Sequence, residues 1–286
     1  MTSDTFEQKW QLDRAEYATR FDTLFFASCF VEACRGELSH QASGFFWRHA
    51  SQPVFVTNWH VVTGNHAFSG LSKTGWAPEK LIVQYWERAL PSNRLIGDQT
   101  QFFQRPAIEL PLSDENGHPT WHQHQQFAEQ RIDVVTIQVP TGRDVSRIFC
   151  VNDYRFEDLF HTSGGSVFVV GYPLKPQGQE LNFPIWKRGS IASEILLPWR
   201  FKYPAFAIDA RTSGGMSGSP VFARVIGPAV LKDLRTNINA AVTTEFLGVY
   251  SSRLPDDEGD PSIGLVWHRS VINSILTSPA PGQRAI

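Results

Sequence analysis

Ten short β-rich runs, separated by turns and with no long helical pattern between them, restrict this chain more than any other feature. "LFFASCFVEA", "ASGFFWRH", "QPVFVTNWHVV", "KLIVQYWER", "IDVVTIQV", "GSVFVVGYP", "RGSIASEILL", "AFAIDA", "SPVFARVI" and "EFLGVYSSR" combine β-branched and aromatic residues with turn residues at their ends. Parallel βαβ architecture needs helices in the connections, so the pattern predicts antiparallel sheets. Spread over most of the 286 residues, it predicts two antiparallel barrels or sandwiches, and an all-β fold.

The ends differ in texture. Phe6, Trp10, Tyr17 and Phe21 recur at roughly helical spacing behind a Ser/Thr/Asp cluster, which predicts an amphipathic helix packed on the body over residues 1–22. Val271, Ile272, Ile275 and Leu276 predict a short terminal helix, followed by a loose tail at 279–286. The polar stretch Pro140–Gly165 is the expected connection between halves. The expected division is therefore a first barrel at 23–145 and a second, with its helix, at 146–278.

A net charge of −2 supplies no electrostatic reason to bind nucleic acid or anionic membrane. The longest apolar run, Thr23–Val31, is far shorter than the ~20 residues of a membrane span. An unprocessed soluble chain is expected. Cys29, Cys34 and Cys150 are too few and too unevenly spaced for a disulfide framework, and read as reduced, mostly buried thiols. That reading favours a reducing compartment, hence the cytoplasm.

"ARTSGGMSGSPVF" (Ala210–Phe222) sets Ser217 among glycines ahead of a strand. A serine hydroxyl needs a base for its proton and donors for the oxyanion it creates. Gly214 and Gly215 give the backbone freedom to aim the amides of Gly215 and Ser217 at one point. On its own, such a stretch is more often a plain turn. His60, at the end of an apolar run, is the candidate base. Asp133, opening "DVVTIQV", is the candidate orienting acid, with Asp98, Asp114 and Asp209 as alternatives. His118, His122 and His124 lack a neighbouring Cys, Asp or Glu at ligand spacing and read as a solvated loop. A zinc-binding role for these three is the rival they suggest.

In the order His60, Asp133, Ser217, the chain resembles the chymotrypsin-like (trypsin-fold) serine peptidases. "SGFFW…VFVTNWHVV", "DVVTIQV" and "GGMSGSPVF" carry the likeness, with "VVGYP", "LGVYSSR" and "GLVWHRSVINSI" matching later strands and the final helix. The intervals of 73 and 84 residues place the aspartate at the end of the first barrel. The α/β-hydrolase order, with acid and histidine after the serine, does not fit, because Ser219 replaces the second glycine of that motif and only His268 follows.

The resemblance implies two six-stranded barrels and peptide-bond cleavage without metal or organic cofactor. It implies Ser217 as nucleophile, His60 as base, Asp133 as its orienter, and Gly215 and Ser217 amides as the oxyanion hole. It also implies substrate contacts at Arg211, Thr212, Tyr250 and Ser251, with Ser251 on the strand that pairs with substrate backbone. Arg211, six residues before the serine, would either floor the first substrate pocket and favour acidic side chains or point outward. Thr212 with "GGMSGSPVF" also looks like the bacterial glutamyl endopeptidases, which carry a histidine where this chain has Tyr250.

Val61 and Ser213 stand where secreted animal relatives carry disulfide cysteines. Met216 replaces the aspartate that pairs with a newly cut N-terminus, so no activation by N-terminal trimming is expected. The rival reading is an interaction module on the same scaffold. An intracellular protease endangers its host, which predicts control by a regulatory protein partner or by a pocket that is disordered until needed.

Overall fold

Turn residues cut the chain into sixteen strands and three short α-helices over the residues that the computed structural model describes: 22–86, 105–140, 142, 144–174, 183–200, 202–238, 240–253 and 262–284. In chain order these are β1 (Cys29–Arg35), β2 (Leu38–His49), β3 (Gln52–Thr57), α1 (Trp59–Thr63), β4 (Lys80–Gln84), β5 (Ala107–Pro111), β6 (Trp121–Gln123), α2 (Phe127–Gln130) and β7 (Val135–Gln138). The second half supplies β8 (Ser166–Gly171), β9 (Ile185–Ile191), β10 (Ala205–Asp209), β11 (Pro220–Ile226), β12 (Ala229–Val230), β13 (Thr236–Asn237) and β14 (Val242–Arg253). It ends with β15 (Ile263–His268), α3 (Ser270–Thr277) and β16 (Ala280–Pro281). The N-terminal helix expected at 1–22 lies outside the described residues, apart from Asp22.

Local chemistry sets the hairpins. β2 and β3 are joined by Ala50–Ser51, both with positive φ (46° and 67°), the backbone of a two-residue hairpin turn without its usual Asn-Gly signal. The first half curls into an eight-stranded sheet in the order β16-β6-β7-β3-β2-β1-β4-β5, two strands more than expected. The second half closes into a six-stranded barrel, β10-β15-β14-β11-β8-β9. The two-barrel, all-β fold is thus as expected.

Three apolar clusters build the core: one inside each half and one between them. In the cluster between them, Phe45, Val56, Ile132 and Val134 of the first half meet Phe222, Phe246, Val249 and Trp267 of the second. Phe45 packs edge-on against Phe246 with ring centroids 5.5 Å apart. Each fully buried Phe contributes about 2–3 kcal/mol, against ~1 kcal/mol or less for a surface ion pair such as Lys80–Glu109. Apolar burial therefore decides how the halves dock.

Three local expectations change. His60 lies in the first turn of α1 rather than at a strand end. The segment around His118–His124 contributes the core strand β6, with Trp121 fully buried, rather than a solvated loop. The tail is not loose: β16 pairs with β6, and Gly282 N–H donates to Trp121 O at 3.0 Å. Beyond it, Trp59 Nε1–H donates to Gln283 O (3.0 Å) and Asn65 Nδ2 to Arg284 O (3.1 Å). The Arg284 guanidinium reaches Pro78 O, Leu112 O and Ser113 Oγ. The open edge of β6 offers backbone groups that a passing chain satisfies, which is why a polar, Gly/Pro-containing segment becomes a strand here.

Candidate active site

α1 is bounded by Asn58 in extended backbone (φ −87°, ψ 153°) and by Gly64 in left-handed backbone (φ 74°). A helix leaves its first amides without intrahelical acceptors, so the His60 N–H is available. It donates to Asp133 Oδ1 at 2.8 Å, and His60 Nδ1 lies 2.7 Å from Asp133 Oδ2. Ser251 Oγ–H donates to the same Oδ2 at 2.5 Å, while Asn58 Nδ2 donates to the Asp133 carbonyl at 2.6 Å. Asp133 is held between Ile132 and Val134 in the cluster joining the halves, and both it and His60 are buried.

Burial alone would raise the Asp133 carboxyl. The His60 charge and the hydrogen bonds from His60 and Ser251 outweigh it and hold the group below the usual carboxylate range. An ionised carboxylate has no proton to give, so the hydrogen between the two groups belongs to His60 Nδ1, and Nε2 is the ring nitrogen that Asp133 does not hold. Because its folded-state pKa is depressed, Asp133 stabilises the protein above about pH 4 and loses that contribution as pH falls through the folded value. Urea melts of the parent are expected to lose stability more steeply below pH ~4 than those of Asp133→Asn. Identical acid slopes would count against this coupling.

Ser217 is half-buried in a loop whose neighbours are tightly bonded. Gly215 and Gly218 take φ of 84° and 86°, and a Cβ on Gly218 would lie 2.1 Å from Ser43 O and 2.6 Å from Thr57 Oγ1. Ser43 N–H donates to Ser217 O at 2.8 Å, and Gly218 N–H to Tyr250 O at 2.9 Å. The loop is thereby tied to the residue before Ser251 and to β2, the neighbour of the strand that leads into α1. The amides of Gly215 and Ser217 have no acceptor among the described residues. No hydrogen bond joins Ser217 Oγ to His60 among them either. Met216 is fully buried inside the second barrel.

The residues expected at the substrate divide differently. Arg211 is exposed. Thr212 and Tyr250 are buried and joined hydroxyl to hydroxyl at 2.5 Å. The Tyr250 ring lies against Gly264, whose Cβ position is 2.6 Å from it, and burial raises the phenol pKa. Ser251 spends its hydroxyl on Asp133 rather than facing outward. The ladder between β14 and β15 shifts register between Tyr250 and Arg253, loosening the pairing at Ser251 and Ser252. Asn58 and Ser43 escape sequence reasoning. Their only signal is a polar residue inside an otherwise apolar, buried run.

A family model described as a trypsin-like peptidase domain matches residues 42–227. Among solved structures, the protease Anisep from Arthrobacter nicotinovorans superposes with a TM-score of 0.50 at 13% identity, over 90% of this chain and 96% of that one. The serine endoprotease from Yersinia pestis gives a TM-score of 0.46 at 14% identity, over 92% of this chain. This chain spans 65% of that protein's length. No curated protein matches the sequence.

Proposed function

The chain belongs to the trypsin-like peptidase family, and from that premise we propose that it is a serine endopeptidase working through His60, Asp133 and Ser217. The observation that carries the reading is the buried His60–Asp133 pair, with Nδ1 2.7 Å from the carboxylate; in this reading Nε2 is the base. Ser217 Oγ attacks the scissile carbonyl carbon while His60 Nε2 takes its proton. The Gly215 and Ser217 N–H groups donate to the oxyanion. Imidazolium then returns the proton to the departing amine as the C–N bond breaks, leaving an acyl-enzyme that water cleaves by the reverse sequence. Asp133 remains ionised throughout and stabilises the imidazolium. Backbone of Ser251 and Ser252, where the β14–β15 pairing loosens, pairs with the substrate strand.

A second reading, a binding module with a latent site, draws on the missing Ser217–His60 hydrogen bond. Catalytic hydrogen bonds are often long until substrate arrives, so that gap does not decide between them. Treatment with a fluorophosphonate followed by intact-mass measurement does. One label is expected on the parent and none on Ser217→Ala. An unlabelled parent under native conditions sinks the peptidase reading.

A further inference from the structure

With Met216 beside the nucleophile, no carboxylate is present there for a terminal amine to hold, yet the loop is pinned on several sides. The pins cross from the first half. Ser43, fully buried on β2, donates Oγ–H to Gly215 O at 2.8 Å and accepts Tyr172 N–H on the same oxygen at 2.9 Å. Gln41, two residues earlier, donates Nε2–H to Tyr172 O (2.8 Å) and Pro173 O (3.2 Å). Leu174 N–H, next in that segment, donates to Gly214 O at 2.6 Å.

In a trans peptide the N–H points opposite to the C=O. Holding Gly214 O on Leu174 therefore turns the Gly215 N–H away from Leu174. Holding Gly215 O on Ser43 fixes the next peptide. Together they define the φ of +84° at Gly215, which a side chain there would contest: its Cβ would lie 2.5 Å from Tyr172 O.

We propose that Ser43 is a positioning residue for the oxyanion donors, taking the place of a terminal-amine ion pair. Its hydroxyl clamps the peptide after Gly215 directly and the peptide before it through Tyr172–Leu174. The donor-presenting shape is then set by docking of one half on the other rather than by cleavage near the start of the chain. The catalytic consequence rests on the peptidase reading; the hold on Gly215 does not.

Ser43→Ala deletes both bonds and strands a buried carbonyl and a buried amide. The expected result is a kcat lower by about 10- to 100-fold with KM within about twofold, since the donors act on the transition state. A peptide aldehyde, which places an oxyanion in the hole, should lose affinity by the factor lost in kcat/KM, whereas a product peptide should bind as before. The Gly215 amide resonance in a ¹H–¹⁵N spectrum should move. Unchanged kcat with an unmoved Gly215 resonance overturns the proposal, as does an equal loss for aldehyde and product. If the parent takes no fluorophosphonate, the peptidase reading has failed, and the Gly215 resonance alone decides whether Ser43 holds the loop. Should Ser43→Ala not fold, Gln41→Ala is read the same way, with an expected loss of about 3- to 10-fold in kcat.

Discussion

Asp133→Asn is expected to lower kcat by about 10⁴-fold while leaving the fold and KM nearly unchanged. The carboxylate accepts three hydrogen bonds at once, from the His60 amide, His60 Nδ1–H and Ser251 Oγ–H. An asparagine can keep Oδ1 on the His60 amide, but its NH₂ then faces Nδ1 and Ser251 as a donor. The imidazole must answer with a lone pair on Nδ1, which moves its proton to Nε2. A protonated Nε2 cannot take the Ser217 proton, and the imidazolium formed in the transition state loses its counter-charge. Steady-state kinetics on one peptide substrate, with the ring tautomer read from ¹⁵N shifts, would check both halves of this. A kcat within tenfold of the parent would remove Asp133 from its assigned role.

Gly218→Ala should be among the most damaging single methyl groups in the described structure, at about 3 kcal/mol or more. Two costs add. Positive φ costs alanine roughly 1–2 kcal/mol, and the new Cβ meets Ser43 O at 2.1 Å and Thr57 Oγ1 at 2.6 Å. The first of these is backbone of β2 and cannot swing aside. Gly36→Ala is the control, because Gly36 has φ +55° with nothing within 4 Å of its Cβ position. Calorimetry should show a Tm lower by about 6–12 °C for Gly218→Ala and about 2–8 °C for Gly36→Ala. Equal shifts would mean that crowding at the junction of the halves adds nothing.

Much of this site is legible in the linear sequence because its parts are local. The glycines around Ser217 announce a special backbone, and the alternation after Asp133 announces a strand at the edge of the core. What stays hidden is set by distant partners. "WHVVT" becomes helix α1 rather than strand because five residues, three of them apolar, carry no usable period, and the turn is decided by Asp133 accepting the His60 amide from 73 positions away. Ser43 sits in "ASGFF" with nothing local to mark its hydroxyl as a clamp. The 279–286 tail has loop composition, and only the open edge of β6 makes it a strand.

That last strand also imposes an order on biosynthesis. Residues 280–284 close the first half against β6, Trp59 and Asn65, yet they are translated after Ser217 and the whole second barrel. A nascent chain that has just emitted the first half lacks both its closing strand and the second-barrel surfaces that bury Phe45 and Val134. The helix bearing His60 gains these supports only after Ser217 has been translated, so the two parts of the site are completed in the reverse of their order along the chain.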